Sequence, residues 1–329
     1  MDIPLFRKLQ AEGLISAGSL QQAEDAEACR LFSLHWELKL LLYLGVLLLT
    51  GGLGILVYKN IDTIGHQAVL AFIALVTVGS FYYCLRKKAA FTWGKVDAPD
   101  AAFDYILLLG CLSLLIFLAY LQYEYDVFGN HYGLATFIPM LILFASAYYF
   151  DHLGILSLAI TNLAAWAGIA ITPLTILKSG NFTDHRLIFT GIVLAAVLLA
   201  AGQLSLRRRL KPHFELTYTN FGIHLFFISA LAGLFTYDEI YLLWFAVLAF
   251  FAFYLYTLAM ARPSLYFVVI ITLYTYIALS YVVIHLLTKM SLRGVDPLSL
   301  GLMYFILSAF GLAILLIRSN RKIKSNDSL

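Results

Sequence analysis

Ten apolar stretches nearly free of formal charge constrain this chain more than any motif in it. They run over 38–58, 67–85, 102–121, 132–150, 153–172, 187–206, 217–236, 240–261, 265–288 and 298–317. Each is close to the ~20 residues an α-helix needs to cross ~30 Å of hydrocarbon. Lys39 and Asp104 are the only Asp, Glu, Lys or Arg inside them, and both lie near an end, where a charge reaches the interface. Lipid offers backbone groups no hydrogen-bond partners, so helices are the economical reading of such runs. The expectation is an all-α, polytopic helical transmembrane bundle of about ten spans. Composition agrees: 12% of residues are charged and 62% hydrophobic, where a water-soluble domain carries roughly 25% charged residues. A net charge of +3 is too small to suggest a nucleic-acid partner.

The basic residues give an orientation. With the N-terminus cytoplasmic, the cytoplasmic segments hold 17 of the 22 Lys and Arg, including Arg86, Lys87, Lys88 and Lys95, the run Arg207 to Lys211, and Arg318, Arg321, Lys322 and Lys324. The opposite side holds five: Lys59, Lys178, Arg186, Lys289 and Arg293. This bias predicts both termini inside and an even number of spans. The N-terminus is polar, and no cleavable signal peptide is visible, so the first span is expected to act as an uncleaved anchor.

Residues 1–37 read as a cytoplasmic amphipathic helical hairpin. Leu5, Leu9 and Ile15 form a loose apolar stripe broken at Gly13, and Ser19 with Gln22 fits a capping box opening a second helix. Glu24, Asp25 and Glu27 give this segment an acidic character against otherwise basic cytoplasmic loops. It reads either as a hairpin lying on the membrane or the loops, or as an element for oligomerisation or for docking a protein partner. The bundle then occupies 38–317, with 38–172 and 187–317 as two five-span halves, and 318–329 forms a basic cytoplasmic tail. An odd number of spans per half would invert the second half relative to the first, the topology of many secondary transporters.

The hairpin residues Leu9, Gly13, Leu14 and Ile15, followed by a first span carrying Gly45, Gly51, Gly52 and Asn60, resemble the bacterial membrane family called domain of unknown function 2157. The resemblance covers roughly residues 5–85; Ile61 stands where that family has an aromatic residue. It implies a multi-pass protein of the bacterial cytoplasmic (inner) membrane. It implies no activity.

Chemistry-bearing signatures are lacking. There is no HExxH, GxSxG, P-loop or dinucleotide fingerprint. Cys29, Cys84 and Cys111 are scattered without a CxxC, which suits small apolar packing residues. Glu124/Asp126 and Asp238/Glu239 lie in short loops, where solvation is expected rather than acid–base catalysis. Asp151-His152 occupies a tight turn suited to a local hydrogen bond or helix cap; a metal would need further ligands. Asn181-Phe182-Thr183 is a glycosylation sequon only in a eukaryotic secretory setting. No enzyme, cofactor or metal is expected. Gly51-Gly52-Leu53-Gly54, and the small-xxx-small pairs Thr50/Gly54, Ala164/Gly168 and Ser229/Gly233, predict close helix packing. Pro139 should kink its span unless neighbours compensate.

The candidate site is a layer of buried polar residues. Asn220 and His224 share a helical face with Thr217. At ~1.5 Å per residue from the cytoplasmic end, His224 sits ~10 Å deep and both Asn162 and Tyr274 ~13 Å deep. Asn162, Asn220, His224 and Tyr274 are therefore the candidate substrate-binding residues, or else interhelical hydrogen bonds. Central Asp, Glu, Lys and Arg are missing from the spans, which argues against a proton pump. Three functions stay open. The first is a non-catalytic scaffold or sensor with a docking hairpin. The second is a transporter or flippase for a small uncharged or lipid-like solute. The third, a lipid enzyme using His224 or His152, lacks a nucleophile or acid to complete it.

Overall fold

The computed structural model describes residues 3–16, 18–21, 35–129, 132–171, 185–261, 264–290 and 297–327. The described residues are helical and contain no strand. In chain order the helices are α1 (Ile3–Ala11), α2 (His35–Ile64), α3 (His66–Lys87), α4 (Ala101–Tyr125), α5 (Tyr132–Phe150) and α6 (Leu153–Ile171). They continue with α7 (His185–Arg207), α8 (Glu215–Thr236), α9 (Tyr241–Ala261), α10 (Leu265–Met290) and α11 (Pro297–Asp327). Single turns of 3₁₀ helix, Pro212–Phe214 and Asp238–Ile240, lead into α8 and α9.

Every predicted span coincides with one of α2 to α11. Among the described residues, eight of these helices are long and apolar enough to cross a membrane. The other two, α2 and α6, carry the shorter apolar stretches Leu40–Gly52 and Leu153–Gly168. The chain is thus a multi-span helical membrane protein, and ten is an approximate count. Hydroxyls within the spans are satisfied locally: Thr50, Thr77, Thr272 and Thr275 each donate to the carbonyl four residues back. That bond removes the cost of burying a hydroxyl in hydrocarbon.

The chain divides into two compact units. The first comprises Met1–Cys84 and Asp100–Ser113. Helix α1 ends in a left-handed Gly13 (φ 75°), with Gly13 N–H donating to Gln10 O and Leu14 N–H to Leu9 O. This is the Schellman arrangement that a glycine after a helix allows. The next helical turn is capped one turn earlier than expected: Ser16 Oγ, rather than Ser19, accepts a backbone N–H, that of Ser19 at 3.1 Å. The rest of the expected second hairpin helix, with Gln22, Glu24, Asp25 and Glu27, lies outside the described residues, as do Cys29 and the sequon at Asn181. Gly110 on α4 lies against α3, where an added Cβ would stand 2.9 Å from Ser80 Cβ. Cys84 and Cys111 are buried free thiols, as expected of packing residues. The glycines of α2 behave otherwise. A Cβ added at Gly45, Gly51, Gly52 or Gly54 meets no described atom within 4 Å, so the close packing expected there is not found within the described chain.

The second unit comprises Leu85–Pro99 and Leu114–Leu329. Its centre is α8, with Phe227, Ala230 and Leu234 fully buried against Leu248 of α9 and Ile271 of α10. Helices α7 and α8 approach closely at Gly191 and Gly202 on one and Gly222 on the other, while Gly233 of α8 lies against α9. A Cβ at Gly222 would fall 2.8 Å from Leu199, and one at Gly233 would fall 2.7 Å from the Trp244 ring. Gly191 and Gly202 stand eleven residues, about three turns, apart, so they lie on one face of α7. The Ser229/Gly233 motif therefore packs as expected, whereas Gly168 meets no described neighbour within 4 Å. Helix α5 continues through Pro139 without breaking. The expected basic tail is not a separate segment: α11 runs through it to Asp327.

Candidate functional site

Three of the four predicted polar residues come together, joined by a fourth that sequence reasoning passed over. Asn220 and His224 lie one turn apart on α8, and α10 brings Tyr274 and Tyr266 against them. Tyr266 donates to Asn220 Oδ1 at 2.8 Å, which commits its proton. His224 Nε2 lies 3.2 Å from the same hydroxyl oxygen and must donate to it. Nδ1 of the neutral ring then accepts from the Tyr274 hydroxyl at 2.9 Å. The result is a one-directional chain, Tyr274 to His224 to Tyr266 to Asn220, in which each link has one donor and one acceptor. The assignment fixes the Nε2–H tautomer. Tyr274 is held from behind by a parallel stack on Phe227, 5.0 Å between centroids.

Asn162 does not join this chain. It is half-buried on α6, and no hydrogen bond links it to the other three. Its depth matches theirs, but depth does not determine which way a helix face points. Beside the network lies a cavity of about 280 Å³, lined by Ser157, Thr217, Asn220, Ser264, Tyr266 and the apolar Phe267 among others. Thr217, the third residue of the predicted α8 face, enters through that cavity. Tyr266 had a legible signal, since it stands eight residues before Tyr274 and so shares its face.

A second constellation was not anticipated. By sequence Lys211 is one of several loop cations, yet its side chain is 1% exposed. Its Nζ lies 3.0 Å from Asp151 Oδ2 and donates to Gly94 O at 3.0 Å. The Asp151 carboxylate, 2% exposed, also accepts from Val96 N–H at 2.5 Å and from His213 Nε2 at 2.6 Å. One carboxylate thus gathers three donors from two other connections. The backbone makes this possible: Asp151 (φ 60°), Arg209 (φ 54°) and Lys211 (φ 53°) are all left-handed. Lys211 N–H donates to Trp93 O at 2.9 Å, and Ser205 Oγ donates to Leu210 O and Lys211 O at 2.7 and 2.9 Å. Pro212 disfavours the right-handed helical region for Lys211, which helps hold the turn.

His152, the other half of the predicted turn, acts as the expected helix cap. Its Nδ1 accepts Ile155 N–H at 3.2 Å, at the start of α6. Among the described residues no three His, Cys, Asp or Glu side chains converge as metal ligands do. Asp151, Lys211 and His213 tie the connections after α3, α5 and α7 together at one end of the second unit. At the other end Asp238, between α8 and α9, lies 3.4 Å from Lys289 and 3.3 Å from His285 near the end of α10. These contacts separate the connections as alternating spans require.

Comparison with known proteins is informative only in the first half of the chain. Residues 7–156 match the family model of a predicted membrane protein, DUF2157. The resemblance read from the hairpin and first two spans is therefore real, and it extends through α5 to the start of α6. The match covers a little under half of the chain, ending just beyond Asp151 and His152. No curated protein and no solved structure matches the chain. The His224 network and Lys211 both lie beyond the matched segment.

Proposed function

We propose that the protein is a non-catalytic scaffold or sensor of the bacterial cytoplasmic membrane, with both termini cytoplasmic and an N-terminal hairpin that docks a protein partner. The observation that carries this reading is the one-directional hydrogen-bond chain of Asn220, Tyr266, His224 and Tyr274. A transport waist presents polar groups to a solute. Here those groups spend their hydrogen bonds on one another and join α8 to α10, as interhelical bonds do in membrane bundles. The buried Asp151–Lys211–His213 cluster supports the same reading, because it rigidifies three connections at the end that carries the basic loops. That end also carries Lys88, Lys95, Arg207, Arg208 and Arg209, which supports assigning it to the cytoplasm.

One observation favours the alternative, a transporter or flippase for a small uncharged or lipid-like solute: the cavity of about 280 Å³ beside Asn220 and Tyr266. Thiol accessibility separates the two. Single substitutions Asn162→Cys, Thr217→Cys, Asn220→Cys and Tyr274→Cys are made in a background lacking Cys29, Cys84 and Cys111. Protection of all four from a membrane-impermeant maleimide in intact membranes, with a loop control that labels, is the expected outcome. Rapid labelling of two or more from either side means an aqueous path and a transporter.

A further inference from the structure

The second unit holds another feature that the polar layer does not involve. Helices α9, α10 and α11 enclose a groove of about 610 Å³, within the range of ~300–1,000 Å³ typical of ligand sites. Its walls are apolar, from Ala252 and Phe253 on α9 to Leu279 on α10 and Leu315 on α11. The hydroxyls along it are already engaged. Thr272 and Thr275 donate to their own helix at 2.6 and 2.7 Å, and Tyr276 pairs with Ser308 at 2.9 Å. A hydrocarbon chain lying there would leave no polar group unsatisfied.

The groove continues into a second space of about 350 Å³ that shares Tyr256, Gly311 and Leu315 with it. The character changes at that point. Arg318 and Lys322, one turn apart on α11, line this end with Ser319, whose Oγ lies 2.9 Å from Tyr256 OH. Gly311 opens the wall between the two spaces, and a Cβ there would meet no described atom within 4 Å.

The length fits one leaflet. From Ser308 to Lys322 along α11 is ~21 Å at ~1.5 Å per residue. A bilayer including its headgroups is ~40–45 Å thick, so one leaflet is about the same. Arg318 is the first charged residue after the apolar run of α11, so the basic end stands at headgroup level while the groove runs inward from it.

We infer that this groove binds one anionic phospholipid, an acyl chain lying between α9 and α11 and the headgroup phosphate meeting Arg318 and Lys322. The inference is independent of the scaffold reading, since it involves none of the residues in the His224 network. Its test is native mass spectrometry of the full chain in a neutral detergent, titrated with phosphatidylglycerol or with phosphatidylcholine. Phosphatidylglycerol should be retained in preference to phosphatidylcholine. Arg318→Gln and Lys322→Gln should each weaken phosphatidylglycerol about fivefold, and the double variant about 25-fold, from roughly 1 kcal/mol per basic residue near an anionic headgroup. Neither exposed substitution threatens folding. Arg207→Gln/Arg208→Gln, which removes equal charge elsewhere, should leave retention unchanged. Gly311→Leu, which fills the junction, should weaken both lipids alike. Equal retention of the two lipids by the native protein overturns the proposal. So does an unchanged preference in Arg318→Gln/Lys322→Gln. Disulfide dimerisation of Phe253→Cys in membranes would assign the groove to a second copy of the chain instead.

Discussion

Removing the Asp151 carboxylate tests the most consequential packing feature of the second unit. In Asp151→Leu, Lys211 keeps its ammonium at 1% exposure with Gly94 O as its remaining polar contact of those described, at 3.0 Å, and the Phe91 ring 5.2 Å away. Stranding one member of a buried ion pair costs about 3–5 kcal/mol. Lys211→Met is milder, because the carboxylate keeps Val96 N–H and His213 Nε2. Loss of one charge-assisted hydrogen bond predicts about 1.5–3 kcal/mol there. The double variant Asp151→Leu/Lys211→Met strands no charge, and it should be more stable than Asp151→Leu alone, giving a coupling energy of about 2 kcal/mol. Two readouts check this. One is unfolding in mixed micelles followed by circular dichroism, run as a double-mutant cycle. The other is trypsin cleavage at Lys88, which precedes the backbone that Asp151 and Lys211 hold, and at Lys95, which lies within it. Cleavage in Asp151→Leu should accelerate by about 10²- to 10³-fold or more if reclosing outpaces proteolysis. An additive double variant, or a loss below about 1 kcal/mol in Asp151→Leu, would refute the buried pair as the clamp on these connections.

Other expectations are smaller or more local. Gly233→Ala drives a Cβ into the rigid Trp244 ring and should cost about 1–3 kcal/mol, whereas Gly51→Ala, which meets no described atom, should be near neutral; thermal unfolding in detergent compares the two. Tyr266→Phe breaks two links of the polar chain at once and should cost about 1 kcal/mol, from ~0.6 kcal/mol per interhelical bond. A loss of transport in that variant without a loss of stability would count against the scaffold reading. Gly13→Ala forces a side chain into the left-handed turn ending α1 and should destabilise α1 by about 1 kcal/mol, measured by amide exchange in residues 3–16.

The spans were legible because hydropathy is a property of a window, and a window of ~20 residues needs no knowledge of neighbours. All ten positions recur as helices for that reason. The site was legible only in part. Depth along a helix follows from counting residues, and it put His224, Asn162 and Tyr274 in one layer, while helical spacing put Asn220 on the face of His224. Rotation about the helix axis is set by packing, and it is what separates Asn162 from the other three. Tyr266 could have been found by asking which residue of α10 shares a face with Tyr274. Lys211 could not, because a cation in a basic loop reads as a topology signal. Its burial depends on Asp151, sixty residues earlier, and on Gly94, more than a hundred earlier. The glycine motifs of α2 and α6 met no described neighbour for a related reason. A small residue permits close approach without requiring it, so Gly233 packs tightly while Gly51 and Gly52 meet no described atom.

The distribution of polar groups in this protein carries a mechanistic consequence. Asp, Glu, Lys and Arg are missing from the middle of the second unit's spans, and Asn220, His224, Tyr266 and Tyr274 bond to one another, so that middle offers a moving ion no fixed counter-charge. The buried charges are gathered instead at one end, in connections, where they fix loops that would otherwise move. An ion-coupled transporter concentrates its titratable groups near the bilayer midplane, where alternating access needs them. A protein that must present a fixed surface to a partner concentrates them at the rim. That second pattern is what the scaffold reading proposed above requires, and the double-mutant cycle at Asp151 and Lys211 measures how firmly these connections are held.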